Sequence, residues 1–518
     1  MNIGKIPAKT ARLAPSREAV IDVHTGRRIT YGELDERVRR LANGMTGELG
    51  LSKGDRVAIL SKNCIEFLEL MYACARCGLI AQPLNWRLAE EELARIISDG
   101  EPSLLASSGE YAELARSLCS EGNVPHRLAF GPDSEASLDA LVARSSDEEP
   151  DPLDEVGGDD PTLILYTGGT TGQSKGALHT HHSLSMGMIN QTVAERIVPT
   201  DVYMLTGQMF HIPVALAMNY MAHGCPLVLI NFDAKLALEV IEREGVTAFL
   251  GVTTMLNWMM AVEDFDRYDL SSLRNIQYGG GPMPRNVVAA ALESFPCTLI
   301  QGYGQTEGMT MSFLAQEDHL RAIDGDHPER LSSCGREGFV TTIRLADADG
   351  NDVQRDGQTP GEILVRSEAN MVGYWRRPDL TAETIRDGWM HTGDVAMWDE
   401  DGYIFIVDRA KDMIISGGEN IYSTQVEAAI HQHPAVLESA VFGVPDDEWG
   451  EAVKAVVVLK PGMSATAEDI IANASTHLAS YQKPKSVDFV DSLPKAPTGK
   501  ILKRELRDPY WDAKEKQV

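Results

Sequence analysis

Residues 167–175 read Thr-Gly-Gly-Thr-Thr-Gly-Gln-Ser-Lys. Glycines at 168, 169 and 172 leave the backbone without Cβ atoms, so several N–H groups can approach one anion closely. The hydroxyls of Thr167, Thr170 and Thr171 add donors without bulk, and Lys175 adds charge. A Walker loop needs its lysine directly after the last glycine and a helix opening there. Here Gln173 and Ser174 separate Gly172 from Lys175, and the residues after Lys175 read as a strand. Spacing and context therefore exclude that motif. Two readings stay open on these residues alone: an anion cradle and a flexible hairpin loop. Against the second stands the cost of Gly168, Gly169, Gly172 and Gly176 in unfolded-state entropy, on the order of 2–4 kcal/mol.

Three more stretches carry chemistry. "QGYGQTEGM" spans 301–309, with Tyr303, Gly304, Thr306, Glu307 and Met309. "GWMHTGDVAMWDEDGYIFIVDRAKDMIISGGENIYSTQVE" spans 388–427, with Asp394, Arg409, Lys411, Gly417 and Gly418. "PKAPTGKILKREL" spans 494–506 and contains Lys500. In this order, after "YTGGTTGQSKG", they resemble the adenylate-forming superfamily, in its fatty- and aryl-acyl-CoA ligase branch. The resemblance covers essentially the whole chain, and four motifs together are far more specific than any one.

The resemblance implies a two-step reaction. A carboxylate attacks the α-phosphate of ATP in the presence of Mg²⁺, giving acyl-AMP and pyrophosphate; coenzyme A then takes the acyl group and AMP leaves. It implies that Thr167, Gly168, Gly169, Thr170, Thr171, Gly172 and Lys175 wrap the terminal phosphates. Glu307 resembles the Mg²⁺ ligand, with Thr306 beside it on phosphate. Tyr303 and Gly304 resemble the segment against adenine, and Gly279, Gly280 and Gly281 the turn lining adenine and the acyl group. Asp394 resembles the carboxylate that accepts the ribose hydroxyls, and Arg409 its ribose and phosphate partner. Lys500 resembles the lysine bridging the attacking carboxylate and the α-phosphate. Lys411 matches a hinge, and Gly417 and Gly418 a pantetheine tunnel. Phe210 and His211 match an acyl-site motif, with His211 as its gate. There this sequence departs from the pattern: Gln208 replaces a proline, and Val214 stands where glycine is common. Met309 and Met311 suggest a soft pocket wall for a hydrophobic acid, fatty, aromatic or polycyclic. The competing readings are an acyl-AMP ligase serving a carrier-protein pantetheine, a luciferase-like oxidation and a non-catalytic ligand-binding relative.

Bulk properties narrow the setting. The chain has 518 residues and a formal net charge of −29. A nucleic-acid binder needs clustered Lys and Arg, so that class is excluded. Seven scattered cysteines suggest a reducing compartment, and Cys74 and Cys77 read as packing on an apolar helix. The N-terminus shows no apolar signal region, and the uncharged run Phe210–Phe232 reads as a buried helix followed by a buried strand. A cytoplasmic enzyme follows, with no integral membrane segment and a dimer as the default expectation. His179, His181 and His182 read as alternating positions on a strand after the phosphate loop, without a metal role.

The elements that must position these residues follow from pattern. Thr30 caps a helix with Glu33 three residues on. Strand–helix–strand recurs through "GDRVAILS", "CIEFLELMYACARCG" and "LIAQPLN", and again through residue 305, which predicts α/β layers with parallel sheets. The acidic run around 145–161 reads as a surface connection. From about 335 alternation with Asp-Gly and Pro-Gly turns predicts antiparallel β structure, and Asp401-Gly402 a hairpin turn. Beyond "DRAKD" a compact α+β unit begins, with a helix in "STQVEAAIHQHP", two strands, and a helix in "AEDIIANASTHLASY". The expected fold is α/β: a large N-terminal domain, 1–410, with α/β sheet subdomains and a β-rich subdomain, then a small mobile α+β lid, 411–518.

Overall fold

A computed structural model describes residues 1–131, 137–150, 156–167, 174–281, 283–409, 411–416, 419–446, 449–495 and 501–515. The chain forms two compact units, one of residues 1–343 and 365–390, the other of residues 344–364 and 391–518.

The first unit holds two large sheets. In the seven-stranded sheet, Arg56–Leu60 pairs in parallel with Ile80–Pro83 and Leu104–Ser108. Pro161–Thr167 joins the parallel set, and Lys175–Thr180 turns back antiparallel on it, with Thr167 opposite Lys175. The short strand Gly373–Tyr374 closes this edge, Tyr374 facing Ala177. The helix Ile65–Cys77 between two of these strands is buried along its whole length, which is why its sequence is apolar all round. Its two cysteines lie in that core, and all seven cysteines are free. Arg76, on the same helix, is 2% exposed and pairs with Asp35 and Glu149. Glu149 belongs to the acidic run and is itself exposed, so this surface stretch is tied to the core through a buried cation.

In the nine-stranded sheet the parallel strands Tyr203–Leu205, Leu227–Leu229, Ala248–Leu250, Asn275–Gly279 and Thr298–Gln305 alternate with helices, as the pattern predicts. The run Phe210–Phe232 resolves into the helix Pro213–Ala222 and the strand Leu227–Leu229. Thr30 caps the helix Tyr31–Asn43 reciprocally with Glu33.

Two expectations change. His181 and His182 do not continue a strand. Thr180 accepts the Ser183 N–H and starts the helix His181–Glu195, with Ser183 reaching back to the Thr180 N–H. A threonine able to cap competes with its own strand for the backbone, and here capping wins. In the second unit the helix expected through residue 481 is only Ala467–Ala474, capped by Thr466. A further helix, Lys503–Glu515, begins within the last motif and carries Pro509 inside it. The two expected strands, Val436–Asp446 and Gly450–Leu459, pair antiparallel over a core containing Ile414, Val426, Ile430, Val441 and Val457.

Candidate active site

Glu307 lies at the tip of the hairpin joining Thr298–Gln305 to Met309–Leu314, where Gln305 faces Met309. Three glycines make the hairpin this tight. A Cβ on Gly304 would stand 2.0 Å from the Met309 carbonyl, and one on Gly308 would stand 2.7 Å from the Met311 sulfur. A Cβ on Gly302 would stand 3.0 Å from Gln277 Nε2.

The tip is held from two sides. Buried His179 donates from Nε2 to the Thr306 carbonyl at 2.8 Å. Burial pushes the His179 pKa down, so its imidazole is neutral and the carbonyl fixes the tautomer. On the other side Met371 donates its N–H to the Glu307 carbonyl at 2.7 Å. The Tyr374 hydroxyl donates to Glu307 Oε1 at 2.7 Å. Burial and the adjoining carboxylate together push the Tyr374 pKa up, which keeps that proton on the phenol.

The same tyrosine reaches the phosphate-loop motif. Lys175 Nζ lies 4.8 Å from the centre of the Tyr374 ring, a cation over an aromatic face. Trp375 donates its N–H to the Gly176 carbonyl at 2.7 Å, and a Cβ on Gly176 would stand 2.6 Å from the Ile164 side chain. Thus Thr167, Lys175, Thr306 and Glu307, from two sheets, are brought together through residues 371–375. Nothing in the four sequence motifs singled out His179, Met371 or Tyr374. The available signal was "GYW" at 373–375, an aromatic pair after glycine in an otherwise polar stretch.

The two glycine-rich segments beside nucleotide-type residues also meet. Gly279 faces Gly302 across paired strands, and a Cβ on Gly279 would lie 2.2 Å from the Gly302 carbonyl. Gly280 has φ of +77°, a left-handed turn, while Gly281 has open space around its missing Cβ. Tyr303 sits on the same strand as Gly302 and is 8% exposed.

Phe210 is buried, and half-buried His211 lies in the turn before the helix Pro213–Ala222. Its Nδ1 accepts the Ile212 N–H at 2.8 Å, and burial lowers its pKa. Met309 has φ of +56° and packs its side chain over Gly187, where a Cβ would stand 3.3 Å from Met309 Cγ.

In the second unit Asp394 faces Arg409 across an antiparallel pair, with Arg409 Nε 3.0 Å from Asp394 Oδ1. Asp394 is buried, and its N–H donates to Thr392 Oγ1 at 3.1 Å. Lys411 lies in the turn directly after Arg409, its carbonyl accepting from Arg507 Nη1 at 3.3 Å. Asp401-Gly402 is the expected turn: Gly402 has φ of +82° and donates its N–H to the Asp399 carbonyl. Gly168, Gly169, Thr170, Thr171, Gly172, Gly417, Gly418 and Lys500 lie outside the described residues.

A divalent cation implied by the resemblance has one carboxylate here, Glu307. No cluster of three His, Cys, Asp or Glu exists among the described residues. A sparse oxygen set fits Mg²⁺, which keeps several waters and binds mostly to substrate phosphates, and does not fit zinc. Among the described residues no helix is long and apolar enough to cross a membrane.

Residues 8–375 match the AMP-binding enzyme family, and residues 425–500 match the AMP-binding enzyme C-terminal domain. A feruloyl-CoA synthase from Amycolatopsis sp is 40% identical over 509 residues, covering 98% of this chain and 98% of that protein. The long-chain-fatty-acid–CoA ligase FadD13 of Mycobacterium tuberculosis is 34% identical over 514 residues, covering 98% of each chain. Among solved structures, the amide bond synthetase McbA from Marinactinospora thermotolerans superposes with a TM-score of 0.87 at 30% identity, covering 98% of this chain and 100% of that one.

Proposed function

The chain belongs to the AMP-binding enzyme family and is an AMP-forming acyl-CoA synthetase, and from that premise we propose which of its residues carry each step. ATP and coenzyme A are its substrates, together with a carboxylic acid. We take the acid to be hydrophobic and to enter beside His211, Phe210 and Met309, because Phe210 and Met309 are buried apolar side chains.

Adenylation brings a carboxylate against a polyphosphate, so like charges must be neutralised where they meet. Lys175 and the backbone of 168–172 grip the phosphates that leave, while the reaction occurs at the α-phosphorus. Glu307, with Thr306 beside it, would hold Mg²⁺, which would supply charge neutralisation on the polyphosphate. Tyr303 with Gly279–Gly281 receives adenine, and Asp394 with Arg409 receives the ribose. Lys500 offsets charge between the attacking carboxylate and the α-phosphate. For the second step Gly417 and Gly418 let the pantetheine arm pass close to backbone, after rotation about Lys411. On this reading the division of labour falls between 1–410 and 411–518.

One observation carries the reading of the first step: the Tyr374 hydroxyl on Glu307 Oε1, with Lys175 over the same ring. It puts the phosphate-loop cation and the single carboxylate on one side chain. The test is carboxylate-dependent pyrophosphate release from ATP across an acid panel including ferulic acid and long-chain fatty acids, with thioesters identified by mass spectrometry. Pyrophosphate and acyl-CoA are expected together. Pyrophosphate without thioester from free coenzyme A would favour a carrier-protein acceptor. Release of orthophosphate, or no release with any acid, overturns the reading.

A further inference from the structure

In the second unit one carboxylate holds the backbone that leads into Asp394. Glu362 stands on the strand Gly361–Ser367, beside the strand Trp389–Trp398 in a five-stranded sheet. Its two oxygens reach different residues of that neighbour. Oε1 accepts the Gly393 N–H at 3.0 Å, and Oε2 lies 2.9 Å from His391 Nδ1. A carboxylate only accepts, so His391 donates from Nδ1 and its tautomer is fixed. Both side chains are half-buried, where such bonds meet less competition from water than at the open surface.

The segment gripped in this way is not regular strand. Gly393 has φ of +70°, a left-handed residue inside a strand, and a Cβ there would meet nothing within 4 Å. Glycine is thus needed for its backbone angle and not for space. A bend of this kind weakens the ladder around it, so side chains must hold it. Thr392 completes the hold: its hydroxyl donates to the Ile363 carbonyl at 2.8 Å and accepts the Asp394 N–H at 3.1 Å. Residues 391, 392 and 393 are each tied to 362 or 363, and the next residue is Asp394. Its carboxylate is buried and lies 3.0 Å from Arg409 Nε. A buried carboxylate points where its backbone aims it, and small errors of aim are expensive at a binding site.

We propose that Glu362 is a positioning residue for the nucleotide: by fixing residues 391–393 it aims the Asp394 carboxylate at the ribose hydroxyls. The proposal rests on the reading of Asp394 as the ribose acceptor. Glu362 acts through Gly393 and His391, not by touching the ribose itself.

The test compares ATP with 2′,3′-dideoxyATP, which lacks both ribose hydroxyls, on full-length protein with Mg²⁺. Calorimetry gives Kd for each nucleotide, and pyrophosphate release with the best acid of the panel gives KM and kcat. Wild type should bind ATP more tightly than the dideoxy form by about 10–100-fold, the scale for hydrogen bonds to a charged group. Glu362→Ala should weaken ATP about 10-fold, in Kd and KM more than in kcat, and leave the dideoxy form within about 2-fold. A group that only stabilises the unit would weaken both nucleotides in parallel. Glu362→Gln keeps an acceptor for the Gly393 N–H and loses the charge on both bonds. Its smaller loss, about 3-fold and again on ATP alone, guards against a folding failure of the alanine variant. Asp394→Ala should abolish the preference for ATP. Parallel weakening of both nucleotides in the Glu362 variants, or a full preference kept in both, overturns the proposal and leaves Asp394 as the ribose acceptor. A wild type with no preference, or a preference that survives Asp394→Ala, overturns that reading of Asp394 and this proposal with it.

Discussion

Two glutamates in the first unit each receive a tyrosine hydroxyl, and they are made for opposite ends. Glu195 takes the Tyr220 hydroxyl and the Gln191 amide inside the core, at 1% exposure. Glu307 takes the Tyr374 hydroxyl at a half-buried hairpin tip. Desolvation dominates the first: burial pushes the Glu195 pKa up to about 7 against the hydrogen bonds that lower it. The second keeps a route to solvent, with Lys175 close by on the shared tyrosine. Similar bonding thus leaves one carboxyl sealed in the core and the other open to solvent, where the proposed role at the metal needs it.

The comparison breaks most readily at Glu307. Glu307→Gln keeps the shape and removes the charge. Pyrophosphate release should fall by about 10²–10³, the scale for a lost electrostatic partner in the transition state. The melting temperature should stay within about 2 °C of wild type, because one half-exposed carboxylate contributes little to folding. A large drop in melting temperature with activity retained would reverse the two assignments.

Glu195→Gln should do the opposite, through pH. The folded pKa is raised from 4.5 to about 7, so the folded state binds more protons than the unfolded chain between those values. The associated stability is fully present below pH 4.5 and is lost as pH rises through 7. The loss is about 3 kcal/mol, from roughly 1.4 kcal/mol per unit. Denaturant melts at pH 5 and 8 should show this slope in wild type and not in Glu195→Gln, with turnover per folded molecule kept. An unchanged slope would mean that Glu195 is ionised in the fold.

Tyr374→Phe sharpens the comparison with the smallest effect. It leaves the ring under Lys175 and removes only the bond to Glu307. Loss of one hydrogen bond should weaken pyrophosphate release about 3–15-fold. It should also shift the Mn²⁺ dependence of the electron paramagnetic resonance signal of the ATP-bound protein to higher metal concentration. The equivalent change at Tyr220 should move stability and leave the metal dependence unchanged.

Much of this was legible before any coordinates. Periodicity placed the alternating strands and helices up to residue 305, because buried parallel strands and amphipathic helices leave strong patterns. Motif spacing singled out Glu307, Lys175, Asp394 and Arg409, and the structure pairs the last two across adjacent strands. Glu195 was illegible: "TVAERI" reads as an ordinary charged helix end, and only the packing of Tyr220 and Gln191 around it reveals a buried carboxyl. Tyr374 was illegible for another reason. Its partner is 67 residues away, and local pattern carries no information about such a contact. His181 was misread because a capping threonine looks, in sequence, like one more strand residue.

The route of the chain sets when the site can come into being. Residues 344–364 leave the first unit, and residues 365–390 come back to it. Met371 and Tyr374, which hold Glu307 by backbone and side chain, arrive on that returning segment. A chain emerging vectorially during synthesis therefore has every strand of the nine-stranded sheet, the glutamate hairpin included, before the strand that locks the hairpin exists. A nascent fragment ending at residue 370 has the carboxylate and the phosphate-loop lysine but not the residue that joins them. Synthesis interrupted there leaves Glu307 without the Tyr374 hydroxyl and the Met371 N–H that hold it in the complete chain.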